Sequence, residues 1–224
     1  MTCSTCFPGK PAVAITLGDK PDYFEKLKER SSWIAGELVS SFGILTSHKY
    51  HHPAVLFAPH DACGETVTKD MVTPLSSKIQ QIVSVVLAKR HFAVIRIGVT
   101  VNKVKIHDGK KKNSVTTWAR HVKMILQKHG LVKIDQAGYA PFSCSMDRTM
   151  YEQADDDDSS CGPIGCALLW QIFSEGGFDP KNYQPLALRE AVLDRYLSLV
   201  KEHAGDLYQA IKIKFRSSLC GRRP

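Results

Sequence analysis

No apolar run in this chain is long enough to cross a bilayer. Ile82-Val83-Ser84-Val85-Val86-Leu87-Ala88, among the longest, is only strand-length. The N-terminus has neither the basic head nor the continuous apolar core of a secretory signal, so neither insertion nor export is expected. No internal repeat is evident. The cysteines number seven, an odd count at irregular spacings, and so form no disulfide framework. A reducing compartment, cytoplasm or nucleus, is the expected location. The net charge is +8, yet no basic stripe with interleaved aromatics accompanies it. The basic clusters are Lys110-Lys111-Lys112 and Arg222-Arg223. Nucleic-acid binding is therefore disfavoured, and a weak attraction to acidic surfaces is expected. His48, His51, His52, His60 and Cys63 match no zinc-ligand spacing and read as solvated loop residues. Cys3-Ser4-Thr5-Cys6 lacks a second ligand pair and reads as part of an irregular lead-in over residues 1–20.

What is present fits one globular domain. The 224 residues are 43% hydrophobic and 23% charged, enough to bury a sizeable core. Trp33, Leu38, Phe42 and Leu45 recur at helical spacing behind a Ser31-Ser32 cap, which predicts a helix over 33–45. Residues 46–76 read as a long loop. Strands are predicted at 82–88, 92–99 and 104–107, the last two joined as a hairpin. Ser114 or Thr116 can cap a helix running to about Lys128, closed by Gly130. A further strand is expected at 131–134. Helices follow at 161–174 and 186–203. The sum is an α+β fold, a small central mixed sheet flanked by helices.

Ser159-Ser160-Cys161-Gly162-Pro163-Ile164-Gly165-Cys166 is the most informative segment. It sets a thiol on the first turn of a buried helix, among small residues. Unpaired N–H groups and the positive end of the helix dipole favour anionic sulfur there, the form that attacks carbonyls. His91 opens one strand of the hairpin and Asp108 ends the other, which places both at one end of the sheet. A carboxylate there can accept the imidazole Nδ1–H and turn the other ring nitrogen toward a nucleophile. Cys166, five residues into the helix, should be a buried thiol and Trp170 a core residue. His107 should face away from Asp108, while His121 and His129 should lie on the surface. The acidic run Asp155–Asp158 reads as a solvated loop, with a substrate-facing lip as the alternative.

These residues carry a family resemblance. HFAVIRIGVTVNKVKIHDG (residues 91–109) resembles the histidine-to-aspartate hairpin of the ubiquitin-like-protein-specific cysteine proteases, the SUMO-protease and adenovirus-protease group. Its interval of 17 residues is similar to theirs. SSCGPIGCALLW resembles their QxxxxxDCGxFxC nucleophile segment, and Trp33-Ile34-Ala35-Gly36-Glu37-Leu38 their WLxDExI helix start. The likeness runs in order over residues 31–203.

The resemblance implies an adenain-like cysteine protease fold. The catalytic domain would span 21–210, followed by a basic tail at 211–224. It implies Cys161 as nucleophile, His91 as general base then acid, Asp108 as its orienting acid and Gln153 as oxyanion donor. Trp33 and Phe92 would flank a narrow tunnel admitting a Gly-Gly tail. The implied partner is a ubiquitin-like protein, SUMO or ubiquitin, with its conjugates, and no cofactor or metal is needed. There are departures: Gln153 stands eight residues before Cys161 where the family has six. Phe92 replaces a tryptophan, Gly36 an aspartate that holds the modifier, and Ser160 the aspartate before the nucleophile. Two alternatives keep the fold: an acetyltransferase working through an acyl-cysteine, with Lys110–Lys112 at its anionic pocket, and an inactive modifier-binding module.

Overall fold

The computed structural model describes residues 34, 36–59, 66–88, 90–149, 151–154 and 157–207. The apolar run at 82–88 lies inside a five-stranded sheet built from β1 (Val55–Phe57), β2 (Gln81–Ala88), β3 (His91–Gly98), β4 (Lys103–His107) and β5 (Ser143–Met146). Spatial order follows chain order. The two inner connections, β2–β3 and β3–β4, are antiparallel, while the edge strands β1 and β5 pair in parallel. Among the described residues, four α-helices flank the sheet: α1 (Gly36–Tyr50), α2 (Val115–Lys128), α3 (Cys161–Phe173) and α4 (Pro185–Leu207).

Side chains alternate across a strand, so β2 and β3 feed two cores. Val83, Val85, Phe92 and Val94 pack against α1, α3 and α4. Ile82, Val86, Ala93, Ile95 and Ile97, with Val104 and Ile106 of β4, pack against Trp118, Val122, Ile125 and Leu126 of α2. Each fully buried aliphatic side chain contributes roughly 1.5–3 kcal/mol before ordering entropy is charged against it. Sandwiching explains why β2 reads as an unbroken apolar run rather than an alternating one. Helix α3 is buried from Cys161 through Leu169, on all sides of its first turns.

Three elements depart from the sequence-based expectations. The first helix is displaced, running over Gly36–Tyr50 rather than 33–45; Trp33 and the Ser31-Ser32 cap lie outside the described residues. Residues 131–134 form turns, not a strand, because the Gln127 side chain donates to the Lys133 and Ile134 carbonyls at 3.3 and 2.7 Å and so occupies them. The fifth strand is Ser143–Met146 instead, a short edge strand whose alternate side chains stay exposed. Such an edge needs little apolar content, which hides it in the sequence. The supposed loop at 46–76 contains the end of α1 and the three residues of β1. His52 is not free in solvent: its Nε2 lies 2.7 Å from the Phe173 carbonyl. His60, Cys63, Cys3 and Cys6 lie outside the described residues. Among the described residues, no helix is long and apolar enough to cross a membrane.

Gly43 of α1 lets the Phe57 ring lie against the helix; a Cβ there would stand 2.2 Å from the ring. Phe57 is fully buried beside Phe173 and cannot swing away. The Gly43→Ala variant gains helix propensity of about 1 kcal/mol but incurs overpacking of about 1–3 kcal/mol. A lower urea midpoint with unchanged m is expected; a raised midpoint would show that the ring relocates freely.

Candidate active site

The turn between β2 and β3 brings Ala88 opposite His91, with Arg90 in the left-handed region at φ 62°. His91 thus stands at the very end of the sheet. β4 returns alongside with His107 opposite Val94, so Asp108 emerges at the same end. His91 Nε2 lies 2.6 Å from Asp108 Oδ1. The ring therefore reaches its carboxylate through Nε2, not through Nδ1 as the sequence suggested. Asp108 lies just past the β-ladder, where the tip of the ring meets it. The tautomer argument survives with its nitrogens exchanged. Nδ1 is the ring's remaining polar atom, and Cys161 is close enough to help raise the proton affinity of the imidazole.

The Asp108 carboxylate is saturated with donors. Oδ1 also accepts the Lys110 N–H at 2.9 Å, while Oδ2 accepts Asn113 Nδ2 at 2.8 Å and Trp118 Nε1 at 2.7 Å. Burial opposes its charge, but the hydrogen bonds from His91, Lys110 and Asn113 hold its carboxyl below the usual carboxylate range. Around the outside, the Arg148 guanidinium donates to the carbonyls of Asp108 (3.3 Å), Lys110 (2.7 Å), Lys111 (3.1 Å) and Asn113. Asn113, Trp118 and Arg148 were not picked out as site residues from the sequence. The polar segment between Asp108 and the capped helix start at Ser114 was the only available signal for the first two, and nothing pointed to the third.

Cys161 arrives as the first residue of α3, buried at 2% exposure, with its sulfur 4.0 Å from the Arg90 carbonyl. Burial lowers the affinity of His91 for a proton, yet hydrogen bonds and charge from Asp108 and Cys161 outweigh it and raise the pKa to about 9. Gly162 keeps the helix close to its neighbours: a Cβ there would fall 2.2 Å from Ile34 and 3.6 Å from Phe92. Phe92 is buried, its ring lying between Gly36 and Gly162. Trp33 lies outside the described residues.

The approach to Cys161 is tied down by its acidic run. Asp157 Oδ1 accepts the N–H groups of Ser159 and Ser160, each at 3.0 Å, and so performs the capping that Ser160 does not. The Asp158 carboxylate pairs with Lys110. The solvated-loop reading thus fails for Asp157, whose carboxylate is taken up by the turn, and holds for Asp158, which stays exposed while it pairs with Lys110; Asp155 and Asp156 lie outside the described residues. Gln153 is buried. Its N–H donates to the Gly109 carbonyl at 2.9 Å, its Nε2 donates to the Asp157 carbonyl, and its Oε1 has no partner among the described residues. Lys110 pairs with Asp158, and Lys111 pairs with Glu152 at 2.9 Å.

The competing residues fall away. His107 is buried on the sheet, 3.7 Å from Asp147, and burial pulls its pKa down to about 4, so it is neutral at physiological pH. Burial pushes the Cys166 thiol up. His121 is not on the surface as expected: it is buried against the Trp118 ring, centroids 5.5 Å apart. His129 is half-buried at the end of α2. Trp170 is only partly buried and stacks on Phe178, centroids 3.9 Å apart.

Because the His91 value of about 9 exceeds its ordinary 6.5, the stabilisation from this pairing is complete below pH 6.5 and fades as pH rises through about 9. The imidazole proton resonance should titrate near that upper value. In Asp108→Asn its midpoint should fall by about one pH unit or more; an unchanged midpoint would remove Asp108 as the cause.

No protein-family model matches the chain, and no curated protein sequence matches it. Solved structures do. The C-terminal Ulp1 protease domain in complex with Smt3, the yeast ortholog of SUMO, aligns at TM-score 0.57 and 14% identity, covering 80% of this chain and 82% of that one. The Ulp1-like SUMO protease catalytic domain of Chaetomium thermophilum aligns at TM-score 0.57 and 17% identity, over 87% and 84%. A de-sumoylating protease aligns at TM-score 0.53 and 10% identity, over 89% and 97%. The mixed sheet with its flanking helices is thus the fold of the Ulp1-like SUMO protease catalytic domains.

Proposed function

We propose that this protein is a cysteine peptidase or isopeptidase that cleaves after the C-terminal glycine of a ubiquitin-like modifier. One observation carries the reading. An imidazole clamped by a donor-saturated carboxylate has its charged form favoured further by a cysteine at the start of a buried helix, on a fold otherwise seen in SUMO proteases. The bound SUMO ortholog in one of those structures supports SUMO, or ubiquitin, as the class of partner.

The chemistry follows from the arrangement. With its pKa raised to about 9, His91 already holds the proton drawn from the Cys161 thiol on Nδ1 when the sulfur bonds the glycine carbonyl carbon and the carbonyl electron pair moves to oxygen. Asp108 holds the resulting imidazolium. The Cys161 N–H, with no partner among the described residues, and the second Nε2 proton of Gln153 would receive the oxyanion. The C–N bond then breaks, the amine leaves with the proton from His91, and a thioester remains. Water gives a proton to His91 and attacks the thioester, releasing the carboxylate and returning the proton to sulfur. The burial of Cys161 favours a slim substrate, since side chains next to the scissile bond would meet Phe92 and the backbone around Arg90. The acetyltransferase alternative gains no support, because Lys110 and Lys111 already pair with Asp158 and Glu152.

The test is a panel of ubiquitin, SUMO and related modifiers, each ending in a C-terminal electrophile. Wild type is expected to form an adduct at Cys161 with at least one of them, and Cys161→Ala with none. His91→Ala should slow adduct formation by about 10²–10⁴-fold. Equal rates in the His91 variant would mark an inert binding module, and transfer of label from acetyl-CoA would favour the rival enzyme. Gln153→Ala should lower kcat by about 10²–10³-fold with little change in KM; an unaffected kcat would remove Gln153 from the oxyanion site.

A further inference from the structure

Arg189 of α4 is among the largest fully buried side chains of the protein, at 2% exposure. A guanidinium in that setting is costly to desolvate and persists only where partners meet it. Its Nη2 donates to the Ser159 carbonyl at 3.2 Å, two residues before the sulfur-bearing position. Its charge also interacts with Asp157 and with Cys161. Asp157 in turn caps the Ser159 and Ser160 N–H groups. The arginine and the aspartate thus grip one turn from opposite sides, the first through a carbonyl and the second through amides. Cys161 begins α3 directly after that turn.

We propose that Arg189 is a positioning residue that fixes the 157–160 turn and, through its buried charge, favours the anionic form of Cys161. The proposal rests on Cys161 being the nucleophile. The groups around the sulfur come from several elements: His91 of β3, Lys110 after β4, and Arg189 of α4. Lys110 is already neutralised by Asp158. His91 shares its charge with Asp108. Asp157 brings a negative charge to the turn itself, and without Arg189 that carboxylate would oppose a negative sulfur within the same turn. Arg189 offsets it at short range in a poorly screened interior, where such offsets count most.

The experiment is alkylation of the full chain by chloroacetamide, with Cys161 adducts quantified by peptide mass spectrometry between about pH 6.5 and about pH 10.5, where thiols are largely ionised. Arg189→Gln is expected to react about tenfold slower than wild type at the lower pH, with the difference closing at the upper one. Arg189→Lys, which keeps the charge but loses the fork, should slow by only about two- to threefold at the lower pH. A folded Gln variant with wild-type rates throughout overturns the proposal, as does slowing that is equal at both pH values, the mark of a merely structural role. If the Gln variant does not fold, the Lys variant decides: slowing confined to low pH supports the charge effect, and an unchanged profile overturns it. His91→Ala in the same assay separates the underlying reading. If its profile matches wild type, Cys161 is not an activated nucleophile and the fault lies there rather than with Arg189.

Discussion

A carboxylate buried at the end of a hairpin must be fully hydrogen-bonded or it will take up a proton, and the rest of the site is arranged around meeting that demand for Asp108. Two backbone-proximal donors, Lys110 N–H and Asn113 Nδ2, come from the loop that follows it, and Trp118 contributes an indole N–H from α2. The fourth donor is the imidazole of His91. With every other lone pair engaged, the carboxylate has one direction left, and the ring is locked into it. Arg148 closes the same loop from outside through its carbonyls. The orientation of His91 is therefore a consequence of how the hairpin end is solvated by protein.

The Cys161 side is organised by the converse problem, a helix start whose first N–H groups need acceptors in a buried setting. Ser160 supplies no side-chain cap, and Pro163 has no N–H to satisfy. Asp157 provides the missing acceptor and Arg189 the balancing charge. Gln153 and Lys110 stitch this turn to the Asp108 loop, one by hydrogen bonds to Gly109 and Asp157, the other by its pair with Asp158. Asp157 and Asp158 thus join the two halves of the site.

The structural neighbours share this architecture at 10–17% identity, which leaves the fold common and the details free to vary. The variation falls where the site is rebuilt. Gln153 stands in a loop held by its bonds to Gly109 and Asp157, and Ser160 precedes Cys161 without capping the helix. The capping that Ser160 does not give comes from Asp157, three residues earlier in the chain.

Local patterning carried much of this in advance. Strands β2 to β4 follow from apolar runs and a hairpin turn, α2 from its cap and apolar face, and α3 from small residues around a cysteine; each depends on near neighbours in the chain. The pairing of His91 with Asp108 was legible for the same reason, since a hairpin returns its ends to one place. Elements with weak local signals were not: β5 is an edge strand of mostly polar residues, and 131–134 lost its strand to carbonyl capture by Gln127. What the amino-acid order determined by itself was a sandwiched sheet and a triad of candidate residues. Only tertiary structure decided which imidazole nitrogen meets the carboxylate, and which distant groups, Arg148, Arg189 and Trp118, satisfy the buried charges. Desolvation creates those demands, and it exists only once the chain has closed over them.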